Sequence, residues 1–103
     1  MEGALHLYMA ERVQSAPIRD GVIALWEGTN LIYLGAAPQA LGGIRGALEA
    51  ARRAGGCAQS ATHFQYEVTG NPQQRLHDLL AEHQRRHGSL PSCNDPAAVV
   101  HVG

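Results

Sequence analysis

Hydrophobic positions divide the chain into stretches of different period. Over residues 1–20 no period is sustained, and Pro17, which lacks an N–H and clashes inside a helix, argues against a helix running on to Asp20. This stretch reads as an approach segment with one helical turn or an edge strand near Leu5–Met9. Val22-Ile23-Ala24-Leu25-Trp26 and Leu31-Ile32-Tyr33-Leu34 are β-prone runs on either side of Glu27-Gly28-Thr29-Asn30, whose composition suits a tight turn. Residues 21–34 are therefore expected to form a β-hairpin. Gly35 ends it, and Pro38, Gly42 and Gly43 make residues 36–43 a loop or a broken helix entry.

The period then changes. Ile44, Ala47, Leu48 and Ala51 fall at i, i+3, i+4 and i+7, one face of an amphipathic helix over 44–54 that Gly55-Gly56 stops. From Thr62 to Val68 the pattern alternates as in a strand, with Phe64, Tyr66 and Val68 on one face and His63, Gln65 and Glu67 on the other. Asn71-Pro72 supplies a helix cap and first position, and Leu76, Leu79, Leu80 and His83 mark the buried face of a helix over 72–87 that ends near Gly88. Leu90 to Asn94 reads as a structured turn, and Val99-Val100-His101-Val102 is again β-prone. The order β-β-α-β-α implies an α/β (α+β) fold, a small three-stranded antiparallel or mixed sheet covered by two helices. A length of 103 residues suits one domain, with 1–20 as approach segment, 21–94 as core and 95–103 as tail.

Charge narrows the partners. Eight basic and nine acidic side chains give a formal charge of −1, so no chain-wide cationic field exists to hold nucleic acid or an anionic membrane. The basic residues, all arginines, are unevenly spread: residues 1–35 carry two of them with four acids, residues 36–94 carry six with four acids. Binding to a polyanion must be local, in the second region. Cys57 and Cys93 are too few for a disulfide-rich secreted scaffold and too far apart for a CxxC motif, so reduced thiols and a cytoplasmic location are expected. Glu2 stands where a signal peptide wants positive charge, and no apolar run approaches the ~18 residues of a membrane span, so no membrane partner is expected.

Gly21-Val22-Ile23 and, ten residues on, Tyr33-Leu34-Gly35 lie on the expected hairpin. Together they resemble the two-part signature of the GIY-YIG nuclease family. The helix after the second motif presents Arg45, and the later helix presents Asp78 ahead of an asparagine-containing turn, Pro91-Ser92-Cys93-Asn94, so the match spans about residues 18–95 in the family's element order. The resemblance implies a GIY-YIG-like fold and metal-dependent cleavage of a DNA phosphodiester. Such hydrolysis needs a base to activate water, cations to neutralise the phosphoryl oxygens and a donor near the leaving oxygen. By resemblance Tyr33 handles the water, Arg45 clamps the phosphate and Asp78 holds one Mg²⁺, the other octahedral positions going to water and substrate. Arg45, Arg52, Arg53 and Asn94 are the residues expected to touch nucleic acid.

Two departures from the family pattern weaken that expectation. The first motif ends in Ile23, which has no hydroxyl, and Asp78 is one methylene shorter than glutamate. The shorter side chain draws its oxygens back by roughly 1.5 Å on a site that tolerates about 0.5 Å. The active site is therefore expected to be weakened or silent, although Glu82, one turn along the same helix, offers another carboxylate. Each residue also has a plain structural use: Tyr33 packed on the sheet, Arg45 solvated at a helix start, Asp78 in a surface pattern with Arg75 or with Glu82 and Arg86. His83 and His87, spaced i, i+4, could join Cys57 and Cys93 in a four-ligand zinc site, but without a paired CxxC, packing or capping is the expected role. His63 and His77 are isolated. The alternative to a nuclease is a non-catalytic module that binds nucleic acid through Arg45, Arg52 and Arg53, or binds protein, including a homodimer through Leu5, Leu7, Tyr8 and Met9.

Overall fold

In the structure, a computed structural model that describes Met1 and residues 3–94, the hairpin forms as β2 (Gly21–Glu27) and β3 (Asn30–Ala37). Its two-residue turn has Gly28 at φ 59°, whereas every described non-glycine residue, Thr29 included, keeps a negative φ. This is the II′ pattern, whose twist matches that of the flanking strands and which asks for glycine at the first turn position. Leu25 faces Tyr33 but Trp26 faces Leu31, so Ile32 is an extra residue in β3. The resulting bulge lets Ile32 and its neighbour Tyr33 pack on the same side of the sheet.

The remaining elements are β1 (His6–Leu7), α1 (Ala10–Gln14), α2 (Gly43–Ala54), β4 (His63–Val68) and α3 (Pro72–His87), with 3₁₀ turns at Gln39–Leu41, Gly56–Ser60 and Ser92–Asn94. Strand order is β1-β4-β2-β3, with every neighbouring pair antiparallel. The fold is α+β, as expected, but among the described residues the sheet has four strands rather than three and the α-helices number three rather than two. β1 is two residues long and joins the sheet through His6↔Phe64 and Leu7↔His63. An element that short shows no period, which is why the sequence pattern left strand or turn open there. The expected strand at Val99–Val102 lies outside the described residues.

Alternation along the central strands sorts the core into two layers. Ile23, Leu25 and Phe64 face α2, where Ile44 and Leu48 of the helix and Val13 of α1 complete a closed cluster. Val22, Ala24 and Leu34 face α3 and meet Leu76, Leu79 and Leu80. The approach segment is part of the first layer: the N–H groups of Ile44 and Arg45 donate to the carbonyls of Arg19 and Pro17 at 3.0 and 3.1 Å, holding the start of α2. α3 has the expected signals, with Asn71 accepting from the Gln74 N–H at 3.5 Å and Pro72 at the first position. His83, expected on its buried face, is instead half-buried with Nδ1 2.8 Å from the Ser89 carbonyl.

The cysteines correct the sequence reading. Cys57 and Cys93 form a disulfide across 36 residues, joining the turn after α2 to the turn after α3. Reduced thiols are thereby overturned, the thiol argument for a cytoplasmic location goes with them, and the four-ligand zinc set loses both its sulfurs. Spacing rules concern local motifs, whereas this pairing depends on two turns meeting beside β3. Among the described residues no helix is long and apolar enough to cross a membrane.

Candidate functional site

Tyr33 projects from β3 toward α2, and its ring folds back over Gly35. A Cβ on Gly35 would come within 2.7 Å of the Tyr33 Cε2 and Oη, so any larger residue there would push the ring away. The second tripeptide thus has a physical logic: its glycine is the seat of its tyrosine. Ile23, from the first tripeptide, faces Gly35 across the ladder and is 2 % exposed, wholly within the α2-side core. Both border a groove of about 360 Å³ whose other walls include Ala36, Gly46, Ala47 and Ala50. Tyr33 carries the only polar side chain in that lining. The groove can bury an apolar group against a phenol, but it offers no carboxylate for a cation and no base for water.

Arg45, in the first turn of α2, reaches back to the approach segment: its Nε donates to the Ala16 carbonyl at 2.9 Å. Arg52 and Arg53 are exposed in the last turn of α2, where a cation is also favoured by the helix dipole. Asp78 is exposed on α3 and accepts from the Gln74 Nε2 at 3.0 Å. Tyr33 and Asp78 therefore belong to opposite layers of the sheet, one under α2 and the other on the outer surface of α3. Asn94 spends its amide on the outer edge of β3. Its Nδ2 donates to the Leu34 carbonyl and its Oδ1 accepts from the Leu34 N–H, both at 2.8 Å, as a neighbouring strand residue would. The edge is blunted there by one side chain.

On the α3 side, five ionisable side chains border a larger cavity of about 860 Å³. Glu27 at the hairpin end and Glu82, His83, Arg86 and His87 on α3 line it, together with Trp26. Glu82, the alternative carboxylate, thus borders this cavity while Asp78 does not; it pairs with Arg86 at 3.4 Å. The cavity floor is Gln65, which is buried, accepts from the Trp26 Nε1 at 3.2 Å and donates to the carbonyls of Met1 and Gly3 at 3.2 and 2.9 Å. All its hydrogen-bonding capacity toward the core is engaged, and among the described residues no buried side-chain nitrogen or oxygen lacks a partner. Sequence reasoning assigned Gln65 to the correct face but had no signal for the cavity, because a cavity is a property of how α3 and the hairpin end diverge.

Displaced proton affinities mark both partners of the Glu67–Arg75 pair, the carboxyl lowered and the guanidinium raised, and Tyr8. Arg75 grips Glu67 with two hydrogen bonds, Nε to Oε2 at 2.6 Å and Nη2 to Oε1 at 3.1 Å, and these hold the Glu67 carboxyl below the usual carboxylate range. Burial pushes the Tyr8 phenol up to about 12, partly offset by the charge of Arg52, while its hydroxyl donates to the Leu48 carbonyl at 2.7 Å. Both arrangements are built into the packing. Compared with known proteins, the chain matches no family model, no curated protein and no solved structure.

Proposed function

We propose that this chain is a GIY-YIG-like domain without a competent hydrolytic centre, which serves as a nucleic-acid-binding module through the arginines of α2. What carries the reading is the separation of the candidate catalytic residues: Tyr33 lies under α2, Asp78 lies on the exposed side of α3, and Ile23 fills the core where a hydroxyl would be needed. A phosphoryl group cannot meet a phenol and a metal carboxylate that face different layers, because positioning within about 0.5 Å is the substance of such catalysis. The hairpin that bears both tripeptides, and Arg45, Arg52 and Arg53 on the helix after it, support a scaffold of that kind used for contact rather than cleavage. Mg²⁺ then has no catalytic role at Asp78.

Fluorescence anisotropy with a labelled DNA duplex tests this. Weak binding at about 20 mM salt is expected, and removal of Arg52 and Arg53 should weaken it across sequences and lower the log–log salt slope by about 1 per arginine. No binding at low salt removes nucleic acid as the partner. Cleavage with Mg²⁺ or Mn²⁺ that is lost in Tyr33→Phe and Asp78→Ala would show that the centre is competent after all. A second reading rests on Leu7 in the short strand β1 and Leu5 and Met9 on either side of it, which are 53, 49 and 39 % exposed: a protein-binding module that forms a homodimer through these apolar residues, detectable by sedimentation and abolished by Leu7→Glu.

A further inference from the structure

His83 and His87 are one turn apart on α3, with ring centroids 4.5 Å apart and planes inclined by 38°. Both line the 860 Å³ cavity, opposite the hairpin end that contributes Trp26. The chain segment beyond the helix orients the first of them. Gly88 adopts a left-handed φ of 76°, which reverses the backbone after α3 and brings the Ser89 carbonyl to 2.8 Å from the His83 Nδ1. A carbonyl oxygen only accepts, so the Nδ1 carries a proton, and in the neutral imidazole the Nε2 is the nitrogen with the lone pair. An imidazole whose Nδ1–H is held by a backbone carbonyl is the form that metal-ligating histidines commonly take, with tautomer and ring angle set in advance. The i, i+4 spacing that places two imidazoles on one helix face is likewise the spacing used by zinc-binding helices.

From these features we infer that His83 and His87 chelate one divalent transition-metal ion at the wall of the cavity. The ion is of the zinc and nickel class rather than magnesium, since neutral imidazole suits the former and oxygen ligands the latter. Among the described residues no third histidine, cysteine, aspartate or glutamate joins the pair, and the disulfide removes both sulfurs. The protein thus supplies two ligands, and the remaining positions go to water or to a small molecule in the cavity. Such an open coordination sphere distinguishes a ligand-binding site from a closed structural one. The inference is independent of the nucleic-acid reading and of Asp78.

Trp26, the only tryptophan in the chain, reports on the site because it lines the same cavity. Titration with Ni²⁺, whose unpaired electrons quench indole fluorescence, should give a saturable response at one equivalent. His83→Gln and His87→Gln should each raise the midpoint by more than about tenfold, whereas His77→Gln, exposed on the same helix, should leave it unchanged. Proton NMR of the native protein supplies a reading that needs no variant: on addition of Zn²⁺ the ring signals of His83 and His87 should shift while those of His6, His63 and His77 stay in place. The inference is overturned by a double variant that titrates like the native protein, by the absence of saturation up to about 1 mM Ni²⁺, or by equal shifts at all the histidines.

Discussion

The two layers of the sheet are filled differently. Under α2, Ile23, Leu25, Phe64, Ile44 and Leu48 are enclosed almost completely, and only small residues of the helix border the remaining groove. Under α3 the buried Val22, Ala24 and Leu34 meet a helix whose one buried residue is Leu79, with Leu76 and Leu80 half-covered, and beside them stand Gln65, the Glu67–Arg75 pair and a cavity bordered by ionisable side chains. A dense apolar layer stabilises by area removed from water and by close contact. A loose polar layer contributes less stability and leaves room for ligands. One small sheet thus separates the work of holding the fold from the place where binding chemistry gathers.

The largest test of that contrast is a pair of truncations. Leu48→Ala, at a fully buried site, should cost about 4 kcal/mol, near the top of the range for enclosed leucines, whereas Leu80→Ala in the α3 layer should cost about 2 kcal/mol or less. Urea unfolding of both variants reads the difference directly, and equal losses would mean that the layers are equally dense. Next comes the disulfide, which closes a loop of 36 residues and ties the two layers together beside β3. Reduction, or the double change Cys57→Ser and Cys93→Ser, should lower stability by between about 3 and 4 kcal/mol through the entropy returned to the unfolded chain. An unchanged midpoint would show that the Asn94 amide on β3 fixes the turn after α3 unaided.

The smallest effects are in the pH limbs, where each layer has one reporter. Tyr8, whose hydroxyl bonds to Leu48 in the α2 layer, keeps its proton to about pH 12 against an ordinary value of 10.0, so its contribution is whole below pH 10.0 and is lost as pH rises through 12. Absorbance at alkaline pH should show one late phenol, and Tyr8→Phe should remove that step. Glu67 in the α3 layer has the opposite sign: its carboxyl is lowered by the hydrogen bonds from Arg75, so its contribution is whole above the ordinary value of 4.5 and falls as pH drops through the folded value. Part of this pair is open to water, which limits the effect to about 0.5 kcal/mol, and Glu67→Gln should flatten the acid limb of stability by that amount.

Local signals explain which elements were legible in advance. α3 runs from Pro72 to His87 as its cap, its proline and Gly88 imply, and α2 starts at Gly43, one residue before the expected start, where the backbone enters the helix through a left-handed φ of 64° that glycine adopts readily. The hairpin turn was legible because glycine at the first of two turn residues carries its own geometry. β1 was not, since two residues cannot display alternation, and neither was the role of His83, because its contact with the Ser89 carbonyl depends on where Gly88 returns the chain. Among the candidate site residues, Tyr33 and Gly35 belong together, but no feature of the sequence shows that Asp78 faces away from them.

Hydrophobic period, capping residues and turn composition determined the α+β class, the hairpin, both long helices and the faces of β4, because these depend on neighbours within a few positions along the chain. Tertiary structure alone decided the fourth strand, the Cys57–Cys93 bond, the use of Asn94 to close the edge of β3, and the gathering of Glu82, His83, Arg86 and His87 around one cavity. Each of these joins or orients residues through the packing of separate elements, and the energy that selects them comes from burial and hydrogen bonding between segments, which a one-dimensional pattern does not contain.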